Sequence, residues 1–357
     1  MVLLVAVAVA VGFLIYKNRA SKVSQPQTLA EPASNVQNSS VASTSAQSST
    51  LSASGSASST TSNHIFYSVV ENIGSKTLLS DLKRITNSFY KTHPDDYDFL
   101  IVVSGYEVGD SLGSVADQYF PIKNEIRGIG QGLYNETKDL GSGGKLKGVA
   151  FIDNLDFTFG SDVNKYFAVN IFIHELGHCW LMYLGYNTLK INRDGSHWSN
   201  FVDAATREDG KIYPDPMDSG IWKKNADGTF SGLNKPIEMF QDQAYEFRFN
   251  TLDLYLMGLL PPDQTQPLTL IIPNGKVVTD QNIRATERQI TVQDLINLGG
   301  VRSPAYPNTQ KEFTVGLLFV TKASATSVEQ SLMDWVTEHL PIFWAEATAN
   351  TSKLILK

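Results

Sequence analysis

The chain of 357 residues contains one cysteine, Cys179. A single thiol excludes an intrachain disulfide and a cysteine-rich zinc knuckle, so neither kind of staple holds this fold together. Positive charge is also sparse. Lysine and arginine number 29 against 36 acidic residues, a net charge of −7, and no dense basic run occurs. That balance argues against a nucleic-acid surface. No segment repeats at a fixed period, which removes solenoids and propellers. Histidine is rare, with six in the chain. What is plentiful is core material: 42% hydrophobic and 10% aromatic residues support one large packed domain or two smaller ones.

The N-terminus reads "MVLLVAVAVAVGFLIY", apolar from Val2 to Tyr16 and followed by Lys17, Arg19 and Lys22. A spanning helix wants about 20 apolar residues, with a lower limit near 17, so residues 1–20 are expected to be a short membrane anchor or a signal segment. From 21 to 63 the chain is rich in Ser, Thr, Ala and Gln. Such a segment cannot repay its ordering entropy with apolar burial and is expected to be a disordered tether, with a reach of roughly 35–40 Å. Anchor and stalk together place the remainder outside the cytoplasm, at the cell surface or secreted if the segment is cleaved. The basic residues after the apolar run point the other way.

Residues 64–357 carry the alternating patterns of an α+β domain. "HIFYSVV" reads as a strand, and Leu78, Leu82, Ile85 and Phe89 keep helical spacing. "YDFLIVVSG" is a continuous apolar run, as a strand buried on both faces should be. "DQYFPIKNEIRGIG" and "KLKGVAFIDNL" read as further strands parted by "GSGG". A helix over 163–184 closes a first part, 64–185. The second, 186–357, begins with a stretch dense in Asn, Asp and Gly. It then returns to order with helices at "TLDLYLMGLL" and "TVQDLINLG", the strand "EFTVGLLFVTK", and a last helix expected to kink at Pro341.

The chemistry concentrates in "NIFIHELGHCWLMYL". His174 and His178 are four residues apart, so on a helix they project from one face, and Glu175 stands beside them without competing as a ligand. Val169, Ile173, Leu176, Trp180 and Leu184 form the core face. The spacing fits a metal held by two histidines, with Glu175 as general base toward an acidified water. Desolvated histidines here would otherwise lack partners. A third ligand has to come from elsewhere. His197 in "NRDGSHWSNF" is the favoured residue, in a Gly-containing loop after 18 intervening residues. Asp203, Glu208, Asp218, Glu246 and Asp253 are the acidic alternatives. Cys179 points about 100° away from His178 round a helix and reads as a buried core residue.

The motif and the strand order resemble the zincin metallopeptidases from Phe66 to Met257. The resemblance implies a zincin-like mixed sheet with an active-site helix, one catalytic zinc, a protein or peptide substrate, and an edge strand ("KGVAFIDNL" or the strand before it) that pairs with substrate. The short metzincin spacing is absent, because positions 181 and 184 are both Leu. Met217 in "YPDPMDSG" is similar to a methionine turn. A glutamate-zincin group places its third ligand at the spacing of His197, as Glu. "NTLDLYLMG" is similar to the aspartate-zincin signature at Asp253, with the following Tyr out of register. "HELGHCW", "DGSHWSNF", "DGTF" and "LDLYLMGLLPP", in this order, look like an uncharacterised group of bacterial zinc metallopeptidases. That likeness favours His197 and marks Asp253 and Tyr255 as residues of the pocket or of the layer behind the ligands; Tyr255 reads first as a core residue, with an oxyanion donor as the alternative. The expectation is a zinc endopeptidase with His174, His178 and His197 on the metal and Glu175 as base. A catalytically silent zinc-containing surface or adhesion module, and a metal-free structural domain, are the competing readings.

Overall fold

The computed structural model describes residues 65–70, 77–106, 108, 117–153, 162–186, 188–233 and 246–357. The expected anchor at 1–20 and tether at 21–63 lie outside the described residues. Among the described residues no helix is long and apolar enough to cross a membrane.

The architecture is mixed α+β. In chain order the main elements are β1 (Ile65–Val69), α1 (Leu78–Tyr90), β2 (Phe99–Ser104), β3 (Gln118–Pro121), β4 (Gly148–Ile152) and α2 (Asp162–Gly177). They continue with β5 (Val202–Asp203), α3 (Thr251–Met257), β6 (Leu268–Pro273), β7 (Ala285–Ile290) and α4 (Val292–Gly299). The chain ends with β8 (Glu312–Thr321), α5 (Ser327–Ala347) and β9 (Lys353–Leu356). The main sheet runs β1-β8-β2-β4-β3, with β9 beside the first half of β8. Every pairing in it is parallel except β3 against β4.

Parallel strands buried on both faces read as unbroken apolar runs, and this sheet shows why. Side chains alternate across it. Phe99, Ile101 and Val103 point into a core shared with α2 and α5, while Leu100 and Val102 point into a second core beneath α1. The boundary expected at 185 does not separate sheets: β8, from the far end of the chain, lies between β1 and β2. Of the two expected edge strands, "KGVAFIDNL" is interior, with β4 paired on both sides, and β3 takes the edge. β5, β6 and β7 form a separate antiparallel sheet.

Caps match the sequence. Thr326 and Glu329 close a reciprocal capping box at the start of α5, with Thr77 and Ser80 doing the same for α1. α5 runs through Pro341 to Ala347. The helix that carries His174 ends at Gly177 rather than Leu184. Its last amides turn back three residues, Cys179 N–H to Leu176 O (3.1 Å) and Trp180 N–H to Gly177 O (3.0 Å), the tightening usual at a helix end. Met182 N–H then leaves the helix for Ser196 O at 3.2 Å. The chain is thereby drawn toward the loop that carries His197. Nor is α2 amphipathic: Val169, Ile173 and Leu176 are buried as expected, but so are Asn170, Phe172, His174 and Glu175. Such a helix runs through a core rather than over one.

Candidate metal centre

Two turns of backbone and one loop bring three imidazoles together. His174 is in the last turn of α2, and His178 follows immediately after the helix. His197 sits on a loop closed by an Asn192–Trp198 bridge and by Arg193 N–H donating to His197 O at 3.0 Å. The loop is wound by side-chain acceptors. Asn192 Oδ1 takes the amides of Asp194 (3.1 Å) and Gly195 (2.6 Å), and Asp194 Oδ1 takes those of Ser196 and His197, each at 3.1 Å. Gly195 has φ +102° with open space at its Cβ position, so glycine is required there by the dihedral alone.

The Nε2 atoms converge. His178 Nε2 lies 3.1 Å and His197 Nε2 3.2 Å from His174 Nε2. Tetrahedral bonds of 2.0–2.1 Å to one ion put donor atoms about 3.3 Å apart. The opposite ring nitrogens decide what these atoms carry. His174 Nδ1 faces Pro216 O at 2.6 Å, His178 Nδ1 faces Leu181 O at 3.3 Å, and His197 Nδ1 faces the Asp194 carboxylate at 2.8 and 2.9 Å. Carbonyls and carboxylates only accept, so each Nδ1 holds the hydrogen and each neutral ring presents a bare Nε2 lone pair. Three lone pairs aimed at one point repel unless a cation sits among them. The donor set therefore fits a metal ion, and His174, His178 and His197 could hold one. His174 and His178 are buried and His197 half-buried.

Electrostatics favour the neutral, ligating form. Burial and the neighbouring imidazoles push His178 well below the usual histidine range. His174 is likewise lowered, first by burial and then by His197, against the pull of Asp218. Around Asp194, burial is outweighed by the hydrogen bond from the His197 ring, by Arg193 and by the Ser196 amide, and the carboxyl is held below its usual range. Arg193 joins the acids on this side, reaching Asp194 at 3.2 Å and Asp218 at 3.4 Å.

Glu175 is buried beside the triad, with Oε1 3.9 Å from His174 Nε2. Its carboxyl stands beside the three converging nitrogens rather than among them. Burial, then Asp117 and Asp218, raise its carboxyl well above the ordinary glutamate range.

The acidic alternatives are engaged elsewhere. Asp203 pairs with Arg207 at 2.9 Å, Glu208 and Glu246 with Arg248, and Asp218 with Arg193. Asp253 is fully buried and accepts from Trp198 Nε1 at 3.0 Å. Tyr255 is not at the centre either: its hydroxyl accepts from the Arg302 amide at 3.3 Å. Cys179 is buried outside the triad, and burial pushes its thiol up to about 11. Met217 is buried against the ligand-bearing turn, where a Cβ at Gly177 would come within 2.8 Å of its Sδ. Sequence reasoning missed Asp194, Arg193, and the Pro216 and Leu181 carbonyls. Asp194 alone had left a signal, as the Asp of a "DGS" turn three residues before a histidine. No family model, curated protein or solved structure matches the chain.

Proposed function

We infer that the protein is a zinc-dependent peptidase. The observation that carries this reading is the placement of a buried carboxyl, Glu175, 3.9 Å from the nitrogen around which three imidazole lone pairs converge. A set of three neutral histidines suits zinc and leaves a fourth position open, whereas a structural site is closed by four protein ligands and has no use for a base at its side. Zinc held there would supply Lewis acidity, acidifying water and polarising a carbonyl.

The chain's own residues do the rest. Glu175 accepts a proton from water and returns it to the leaving amine, so one carboxyl serves both halves of the reaction. Burial, then Asp117 and Asp218, raise its pKa; a divalent cation held by the three histidines would favour the ionised form that a base needs. Asp194, Pro216 O and Leu181 O fix the three rings through Nδ1. Among the described residues β3 ends the strand order of the main sheet, which suits an extended peptide pairing beside it. Met217, packed under the turn between His174 and His178, occupies the place of a methionine turn.

The test uses metal content and proteolysis together. The purified chain is expected to hold one zinc and to cut a mixture of unfolded proteins. Glu175→Gln should keep the zinc and lose at least about a hundredfold in rate, since proton transfer contributes typically that much or more. A wild-type chain that binds zinc and cuts nothing would mark a silent binding module, and a zinc-free chain would mark a structural domain.

A further inference from the structure

A cavity of about 190 Å³ opens between the segments 123–126 and 302–313 and the two residues that follow His178. None of the three histidines lines it, and neither does Glu175. Trp180, Phe313 and Met257 give it a buried apolar wall, with the Trp180 and Phe313 rings 5.2 Å apart, while Glu125 and Gln310 are exposed at its rim. Three cations line it, Lys123, Lys147 and Arg302, against one acid, Glu125. Glu125 is committed to Lys123 at 2.8 Å, and Lys123 also donates to Gly144 O at 2.7 Å. Lys147 reaches the Asp98 carboxylate only at 3.8 Å. Asp98 already accepts from Gln310 Nε2 and from the amide and hydroxyl of Thr314.

Arg302 is buried, and among the described residues no carboxylate lies within 4.0 Å of its guanidinium. Arg193, Arg207, Arg248 and Arg288 each pair with one. Arg302 Nε donates to Leu256 O (2.7 Å), Nη2 to Met257 O (2.9 Å) and Nη1 to Pro304 O. The first two carbonyls end α3, so the side chain caps that helix. Together the three carbonyls use three of the five N–H groups of a guanidinium and leave one on each terminal nitrogen. Carbonyls do not cancel the charge, and a buried cation without an anion is unfavourable. Burial accordingly pulls the guanidinium down to about 10. Its place is fixed by close packing: Gly258 has φ +80°, and a Cβ there would meet Arg302 Cζ at 2.5 Å.

We propose that this cavity binds a small monocarboxylate with a compact apolar body, its carboxylate on Arg302 with Lys147 beside it and its apolar part against Trp180 and Phe313. One spare N–H on each terminal nitrogen suits the two oxygens of a carboxylate. The size fits as well. A cavity of roughly 150 Å³ accommodates a benzene ring, so 190 Å³ holds a six-membered ring or a branched chain together with its carboxylate. The Trp180 and Phe313 rings meet at 65° and form an aromatic corner for that body. Inorganic phosphate answers the cations but has no apolar surface to set against this corner.

The site stands apart from the metal, so it is tested on the full chain both loaded with zinc and stripped by a chelator. Ligand-observed NMR titrations compare phenylacetate with benzyl alcohol, which keeps the ring without the charge, and with acetate and inorganic phosphate, which keep charge without the ring. Phenylacetate should bind at least about tenfold more tightly than any of the three, equally with and without zinc. Arg302→Met should weaken phenylacetate at least about tenfold, and Lys147→Met about threefold. Methionine keeps the apolar stem, so benzyl alcohol should move less than about twofold in both. No binding to wild type, or equal binding of any of the three comparison compounds, would overturn the proposal. So would loss of binding on chelation, which would put the carboxylate on the metal. If Arg302→Met does not fold, Lys147→Met decides, and undiminished phenylacetate affinity there overturns the site. A chain that takes up no zinc and still binds phenylacetate would keep this site and lose the peptidase reading.

Discussion

Asp194 sets the backbone and the ring of His197, a candidate metal ligand, without itself joining the triad. Its Oδ1 takes the amides of Ser196 and His197, which shapes the turn, and the same carboxylate takes the His197 ring through Nδ1 at 2.8 Å. One side chain thus sets both the backbone and the tautomer of the third ligand, and Arg193 at 3.2 Å keeps the carboxylate in place. Asp194→Asn leaves an oxygen for the turn but removes the charge behind the ring. Zinc affinity should fall about tenfold to a hundredfold, while the unfolding midpoint of the metal-free chain moves little. Chelator competition and a thermal melt read the two effects separately, and unchanged affinity would assign Asp194 to the turn alone.

The element that matters most at the centre is the end of α2, where helix gives way to turn between the two ligands. Gly177 allows that turn to lie against the 214–218 loop, since a Cβ there would meet Met217 Sδ at 2.8 Å and Phe249 Cε1 at 3.2 Å. Gly177→Ala gains up to about 1 kcal/mol of helix propensity but meets an overpacking cost of about 1–3 kcal/mol. A net loss of stability is expected, together with weaker zinc binding because Pro216, which orients His174, is in the loop being pushed. Denaturant unfolding of the metal-free variant checks the first, and zinc titration the second. Elements of this size show where sequence reasoning succeeds. α1 was legible from its period, since Leu78, Leu82, Ile85 and Phe89 are all buried, whereas the capping boxes at Thr77 and Thr326 formed no part of that reading. The strands of the main sheet were legible as apolar runs, but their order was not, because nothing local tells β8 to enter between β1 and β2. The end of α2 was misplaced for a related reason. Its terminating partner, Ser196 O, lies in a distant loop and is a backbone atom, which has no residue signature. At the centre the same division holds. His174, Glu175, His178 and His197 could be named from spacing and rarity, whereas two of the three groups that orient the rings are carbonyls.

At the scale of the whole molecule the three histidines act as a clasp. His174 and His178 are held by α2 and the turn that follows it, and α2 packs against the main sheet, while His197 belongs to the loop-rich stretch that leads to β5 and the smaller sheet. Both sides already share a hydrophobic core that includes Phe172, Leu176, Trp198, Met217 and Leu252. A metal at the triad therefore ties together parts that apolar burial has brought near, without having to fold either one. Binding to the native state alone stabilises by RT ln(1 + [L]/Kd), which is about 4 kcal/mol at a zinc concentration a thousandfold above Kd. For chains of 150–250 residues each kcal/mol moves the midpoint by roughly 2–4 °C, so zinc should raise the melting temperature by roughly 8 °C or more in a single transition. Chelation should reverse the shift, and His197→Ala should abolish it; the metal-free melt of the variant falls separately by the lost contact between the ring and Asp194. Calorimetry with and without chelator makes the measurement. A shift that survives His197→Ala would mean that the metal is held by α2 and its following turn alone, and that the two parts of the chain are joined only by their shared core.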